Sequence, residues 1–246
     1  MSHSLLKRRF IIQVGNRDVR QDIHSFFLEL EALLLFPGMG NILFGAVMEL
    51  ISNAEKALLK RAYFQKNNLD IHNPRVYKEG LKNFVEEYQS ILASEYPALL
   101  KKQNRKITLE TDVTGERILI FVRSNIGLLK EEEKRIRTRL RAVEKSGGVH
   151  DFYRKFADDS ESKGLGLAMV VFFLIELGFE SKNFRIYEEN GETIARLDLP
   201  LIEQYRTIRD GKRAAARLRA NKTRKGNITT TTSAPLNSQD GPLALK

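Results

Sequence analysis

The sequence predicts a two-layer α/β (α+β) sandwich in which helices cover one face of a mixed, mainly antiparallel sheet. Three observations lead to this class. Apolar residues recur at helical spacing through much of residues 19–101, alternating apolar and polar residues form two hairpins later in the chain, and a short strand precedes the helices. Because helices come early and hairpins late, one helical layer on one sheet is the natural packing.

The first half of the chain is predicted to form a strand and three helices. In chain order these are residues 9–14, 19–35, 41–65 and 77–101. Proline cannot continue a helix, so Pro37-Gly38 separates the first two helices, and Pro97 predicts a break in the third. Asn73-Pro74 marks the loop before that third helix.

The second half is predicted to form two hairpins with two helices between them. These elements are 107–111 with 117–122, helices over 130–145 and 167–177, and 184–187 with 193–199. The last hairpin turns at Asn190-Gly191, a dipeptide that tolerates the positive φ angles of a type I′ turn.

Composition excludes several classes of protein. The 246 residues carry 41 Lys and Arg against 31 Asp and Glu and contain no cysteine, which excludes disulfide scaffolds and thiolate metal sites. The four histidines are far apart in sequence, which argues against zinc. The longest apolar run, residues 168–175, is shorter than the roughly 18 residues that cross a bilayer, and the N-terminus lacks the features of a signal peptide. We therefore expect a cytoplasmic protein.

Charge and composition predict three regions: an N-terminal strand and helix over 1–38, a central domain over 39–201 and a basic, disordered tail over 202–246. Of the net charge of +10, +7 lies after residue 200, followed by a Thr-rich stretch with little apolar surface. The tail could contact nucleic acid or an acidic surface, or it could simply be solvated.

The first informative motif runs from Glu49 to Ala57 in the second predicted helix. Residues four apart on a helix are neighbours, so Glu49 and Asn53 can face one cleft, with Lys56 on the same polar stripe. A carboxylate and an amide oxygen are hard ligands suited to Mg²⁺ that is shared with substrate phosphates. The alternative is an ordinary amphipathic helix with a solvated polar stripe.

The second motif, Lys163 to Leu167, places Gly164 and Gly166 around Leu165 just before an apolar helix. Exposed backbone N–H groups at such a helix start favour phosphate oxygens, and glycine lets the backbone approach them closely. Many helix starts use glycine only for packing. The sequence does not fit a Rossmann or a P-loop pattern.

Together the two motifs resemble the ATPase domain of sensor histidine kinases, which also occurs in gyrase B, Hsp90, MutL and the anti-sigma-factor serine kinases. Asn53 precedes Gly164 by about 110 residues, and the resemblance covers roughly residues 39–201. It implies the Bergerat-type fold of this GHKL superfamily, with ATP and Mg²⁺ as cofactors. On this resemblance Asn53 is the Mg²⁺ ligand, and Glu49 acts as the general base or binds the metal through water. Lys56 contacts the cofactor, and the segment Lys163, Gly164, Leu165, Gly166 and Leu167 holds the triphosphate.

The adenine-binding box departs from the family pattern Asp-x-Gly-x-Gly. One alignment places Ser124 on the adenine-reading Asp, and a slip of one residue places Asn125 there with Gly127 on the first glycine. Either residue can accept a hydrogen bond without the charge of a carboxylate. Phe152 and Phe156 resemble the anchors of the mobile ATP lid, and core packing is the alternative for both.

Two functions follow as hypotheses. The first is an ATP·Mg-binding signalling module that acts as, or within, a protein kinase or phosphotransfer system on a partner protein. The second is a catalytically degenerate ATPase fold that serves as an interaction or regulatory module. His24 lacks the acidic neighbour and helical hairpin of a phosphoacceptor, so the acceptor is expected on another chain.

Overall fold

The computed structural model describes residues 3–146, 148–156, 165–208 and 210–211, and only the backbone at positions 149, 153, 155 and 156. Contacts divide the chain into two units, Met1–Tyr205 and Arg206–Lys246. The fold presented below is that of the first unit. Lys163, Gly164 and the predicted tail beyond residue 211 lie outside the described residues.

Eight helices and five strands are found in the described part of the first unit. The helices are α1 (Val19–Leu34), α2 (Met39–Lys66), α3 (Pro74–Glu86), α4 (Tyr88–Ala93), α5 (Tyr96–Lys102), α6 (Lys130–Glu144), α7 (Val149–Phe156) and α8 (Leu165–Glu176). The strands are β1 (Ser4–Ile12), β2 (Ile107–Thr114), β3 (Arg117–Ser124), β4 (Phe184–Glu189) and β5 (Glu192–Pro200).

The strands form one sheet in the order β1-β2-β3-β5-β4, and each neighbouring pair is antiparallel. The predicted α/β sandwich is confirmed, with antiparallel pairing throughout the described sheet. Asn190 and Gly191 have φ angles of 54° and 76°, so the last hairpin turns where the sequence predicts.

β1 and the third predicted helix differ most from their predicted extents, and α7 has no predicted counterpart. β1 begins at Ser4, earlier than predicted. Its first residues are largely exposed and bury little apolar surface, but their backbone pairs with β2. The predicted helix over 77–101 is divided into α3, α4 and α5. The Asn73 side chain caps α3, so that helix starts earlier, and Pro97 lies in the first turn of α5, where its missing N–H costs no helical bond.

The core lies between the inner face of the sheet and helices α2 and α8. The apolar arc predicted for α2 is buried at Leu43, Val47, Leu50 and Leu58. α8 is apolar on most sides and packs directly on α2. This contact brings the start of α8 beside the polar stripe of α2. Within the described residues, no helix has both the length and the apolarity that a membrane span requires.

Gly40→Ala is expected to lower the free energy of unfolding by about 1–3 kcal/mol, because an added methyl group overpacks the α1–α2 contact. A Cβ at position 40 would lie 2.6 Å from the backbone oxygen of Phe27, so the two helices would have to separate. Helix propensity alone would make Gly40→Ala more stable by about 1 kcal/mol, so a net loss of stability must come from the steric clash. Urea unfolding measures the change. Gly115→Ala, in open space, is the control, and equal stability of the two variants would contradict the prediction.

Candidate functional site

The start of α8 lies against the polar stripe of α2 at one glycine. A Cβ built on Gly166 would collide with the Glu49 Oε2 atom and would lie 3.5 Å from Asn53 Nδ2. Only glycine permits this approach with both side chains in place. The fold therefore brings Glu49, Asn53 and Gly166 together, with Leu165 and Leu167 on either side of the glycine.

The Asn53 amide is an unsatisfied polar group at this junction. Its Nδ2 atom is buried and has no hydrogen-bond partner among the described residues. A buried polar group without a partner costs about 1–3 kcal/mol, so such groups call for an explanation such as a bound ion or ligand. Rotation of the amide by 180° exchanges nitrogen for oxygen, so the same position can offer either a donor or a ligand oxygen.

A cavity of about 500 Å³ opens next to Asn53, between α2 and the sheet. Its volume lies within the range of about 300–1,000 Å³ that is usual for small-molecule sites. The wall is mainly apolar and includes Leu50, Ala54, Val122, Ile126, Leu167, Ile186 and Ala195.

Ser124 forms part of the cavity wall at the end of β3. Only 2% of the residue is exposed, and its hydroxyl has no hydrogen-bond partner among the described residues. It is therefore a second unsatisfied polar group in the same cavity as Asn53.

Asn125, the residue after the end of β3, lies outside the cavity wall. Its side chain donates to the Asn104 carbonyl at 2.8 Å and accepts from the Lys106 N–H at 3.0 Å. The carbonyl of Gly127 accepts a bond from Arg61 at 3.0 Å. Of the two alignments of the adenine box, the one on Ser124 is thus the one that faces the cavity.

A buried ion-pair cluster forms part of the cavity wall. The carboxylate of Glu132, in the first turn of α6, accepts hydrogen bonds from Lys60 and, at 2.9 and 2.7 Å, from Arg61. Burial raises the pKa of Glu132, but the Arg61 bonds and the neighbouring positive charges outweigh it and lower the pKa to about 2. The carboxylate is therefore ionised at neutral pH.

The charged form of Lys60 is disfavoured in this cluster, so the pKa of Lys60 is lowered. Burial lowers its pKa, and Arg61 and Arg135 repel its charge, while Glu132 offsets only part of these effects. Tyr77 accepts a hydrogen bond from Lys60 at 3.2 Å and one from Arg135. Neither the polar stripe of α2 nor the acidic run of α6 predicts this contact, because a pattern within one helix does not reveal a partner in another.

The charge around the cavity favours an anion. Four cationic side chains contribute to its wall, Lys56, Lys60, Arg61 and Arg135, against the single carboxylate of Glu132 within the described lining. A cleft lined by one sign of charge raises the local concentration of an oppositely charged ligand.

Three further residues singled out in the sequence, Phe152, Phe156 and His24, lie in different surroundings. Phe152 is fully buried and packs edge-to-face on Phe172, with ring centroids 5.9 Å apart. Phe156 belongs to α7, and its side chain lies outside the described atoms. The His24 ring is 2.9 Å from the Asn41 amide oxygen and packs on Phe44, which fits a structural role.

Comparison with known proteins gives two similarities, and no family model matches the chain. Over 164 residues the chain is 30% identical to a protein of Treponema pallidum (strain Nichols) named only as uncharacterized; this covers 67% of the chain and 32% of that protein. The chain thus spans about a third of the length of that relative. The second similarity is to a chain in the crystal structure of the SiaB-SiaC complex from Pseudomonas aeruginosa, with a TM-score of 0.35 and 12% identity over 80% of this chain and 91% of that one.

Proposed function

We propose that this chain is an ATP·Mg²⁺-binding signalling module that acts on a partner protein as a protein kinase or phosphotransfer component. The observation that carries the proposal is the position of Gly166, at the start of α8, directly against Glu49 and Asn53 of α2. The cationic cavity and its two unsatisfied polar side chains, Asn53 and Ser124, support it.

The residues at the junction fit a nucleotide with its metal. The Asn53 amide oxygen would ligate Mg²⁺, Glu49 would bind it through a water, and Lys56 would attract the phosphates. Backbone N–H groups at Gly166 and Leu167, in the first turn of α8, would bind phosphate oxygens. Within the described residues, no group of three or more His, Asp or Glu side chains could hold a metal, and Mg²⁺ shared with phosphates needs only one or two protein ligands.

The chemistry proposed for this chain centres on Glu49. Asn53 and Glu49 would hold Mg²⁺, which when bound would supply positive charge that offsets the charge of the phosphates. The Glu49 carboxylate would accept the proton of a hydroxyl on the partner protein, or of a water. The oxygen of that hydroxyl or water would bond to the γ-phosphorus as the bond between the γ-phosphorus and the β–γ bridging oxygen breaks, which releases ADP. His24 contacts Asn41 and Phe44, which supports the inference that the acceptor lies on another chain.

One observation favours the second candidate, a catalytically degenerate fold that serves as a regulatory module. Ser124 offers a hydroxyl where the family resemblance expects a carboxylate. Loss of a charge-assisted hydrogen bond would weaken binding by about 1–3 kcal/mol, or about ten- to a hundredfold. A module of this kind would act by binding its partner protein.

Thermal unfolding with Mg²⁺ and ATP tests nucleotide binding. At about 100 times the Kd, the ligand should add about 2.7 kcal/mol of stability and raise the Tm by about 5–10 °C. Asn53→Ala should lose this shift yet match the wild-type Tm without nucleotide, because Nδ2 of Asn53 has no hydrogen-bond partner among the described residues. Gly166→Val should also lose the shift, since it displaces Glu49. Gly115→Ala is the control that keeps it, and a flat wild-type response at millimolar ATP would contradict nucleotide binding.

Turnover then separates the two candidates. Glu49→Gln should bind ATP yet lose phosphoryl transfer or hydrolysis, measured as release of ADP. Unchanged turnover in this variant would rule out the role given to Glu49. A wild-type protein that binds ATP without any turnover, alone or with its partner, would favour the regulatory candidate.

A further inference from the structure

The geometry points to a site open to both adenine and guanine nucleotides, with Ser124 as the residue that sets this breadth. This inference rests on the proposed function and goes beyond it by naming the class of substrate, purine nucleoside triphosphates. It is based on which hydrogen-bonding groups of the cavity wall have no partner within the protein.

The Ser124 hydroxyl neither donates nor accepts a hydrogen bond within the described residues. It lies opposite Thr193 in the β3–β5 pair, and the Thr193 hydroxyl donates its proton to the Ile126 carbonyl at 2.9 Å. Thr193 can therefore only accept a further bond. The Ser124 Oγ atom has no partner among the described residues, so it can either donate or accept.

Apolar side chains from the sheet and from α2 line the same cavity as Ser124. Val122 and Ala195 lie on the sheet, while Leu50, Ala54 and Ala57 belong to α2. Apolar walls with a polar group among them suit a planar ring whose edge meets that group.

No carboxylate with spare capacity is available in the described cavity wall. Glu132 is the only one there, and its oxygens accept four hydrogen bonds, one from Lys60, two from Arg61 and one from the Leu129 N–H at 3.1 Å. A carboxylate offers about four lone-pair sites, so Glu132 is saturated.

The free hydrogen-bonding groups of the cavity wall determine which bases the cavity can bind. A carboxylate beside the base would accept from the 6-amino group of adenine and repel the 6-oxo group of guanine. The Ser124 hydroxyl can accept from the first or donate to the second by rotating about its C–O bond. The Ser124 hydroxyl therefore does not discriminate between the two purines, in contrast to a carboxylate at this position.

Isothermal titration of the full chain with ATP and GTP, each with Mg²⁺, tests the inference. In wild type we expect the two Kd values to agree within tenfold. Ser124→Asp should shift their ratio at least tenfold towards ATP, because its acceptor-only oxygens oppose the guanine 6-oxo group. A wild-type ratio above tenfold, or a smaller shift in Ser124→Asp, would overturn the inference.

A second measurement avoids the burial of a new charge. Purine riboside triphosphate has no substituent at position 6, so wild type should bind it at least threefold more weakly than ATP or GTP. Ser124→Ala should bind all three with equal affinity within threefold, and any other pattern overturns the role of Ser124. Binding of ATP with rejection of GTP would leave the proposed function intact, whereas wild type that binds none of the three would overturn both.

Discussion

Glu132→Gln is expected to lower the free energy of unfolding by about 3–5 kcal/mol, because breaking a buried ion pair leaves its partner charges uncompensated. The Glu132 side chain is 11% exposed and is bonded to Lys60 and Arg61 of α2. A neutral amide has one oxygen acceptor in place of two charged ones, so the two cations would stay buried without a counterion. Urea unfolding at pH 7 measures the loss.

The same residue predicts a dependence on pH. The pKa of Glu132 falls from 4.5 to about 2 on folding, so its stabilisation is complete above the unfolded value and is lost as pH falls from 4.5 towards 2. A difference of this size corresponds to about 3 kcal/mol. Wild type should therefore lose its advantage over Glu132→Gln across this window, as followed by unfolding at a series of pH values.

Two control variants isolate the ion pair. Glu131→Gln removes the same charge from an exposed position in the same helical turn and should change stability by less than about 0.5 kcal/mol. Lys60→Met should cost less than Glu132→Gln, because burial already lowers the pKa of Lys60 and disfavours its charged form. Equal losses for Glu131→Gln and Glu132→Gln would show that Glu132 makes no special contribution.

Phe152→Ala is expected to cost about 3–5 kcal/mol, the usual range for a buried phenylalanine. Phe152 is completely buried and packs edge-to-face on Phe172 of α8, which joins α7 to the helix that carries Gly166. Truncation would leave a cavity at this contact. Loss of α7 docking should also loosen the support of the α2–α8 junction.

Thermal unfolding and limited proteolysis measure this effect together. Phe152→Ala should lower the Tm and speed cleavage within residues 149–156. His150→Ala, at an exposed position of the same helix, should leave both properties unchanged. A Phe152→Ala variant with wild-type Tm and cleavage would show that α7 does not depend on this side chain.

Local sequence patterns determined much of the fold. Apolar spacing on α2, the Asn190-Gly191 turn and the alternating strands each act within a few residues, so they predict elements and the layer that buries them. They also placed Glu49 and Asn53 on one helix face. The extent of β1 was not predictable in this way, because pairing with β2 rather than its own apolar content sets its length.

Only the tertiary structure decided which side chains meet across the chain. Lys60 and Glu132 are 72 positions apart in sequence, and no local pattern links a lysine on one helix to a carboxylate on another. Packing, rather than residue type, places Ser124 in the cavity wall and Asn125 outside it, where its side chain bonds to the backbone of Lys106. Periodicity is a short-range property, whereas burial and pairing of polar groups depend on which elements pack together. The sequence therefore determined the elements and the helix face of the candidate site, and packing decided what faces them.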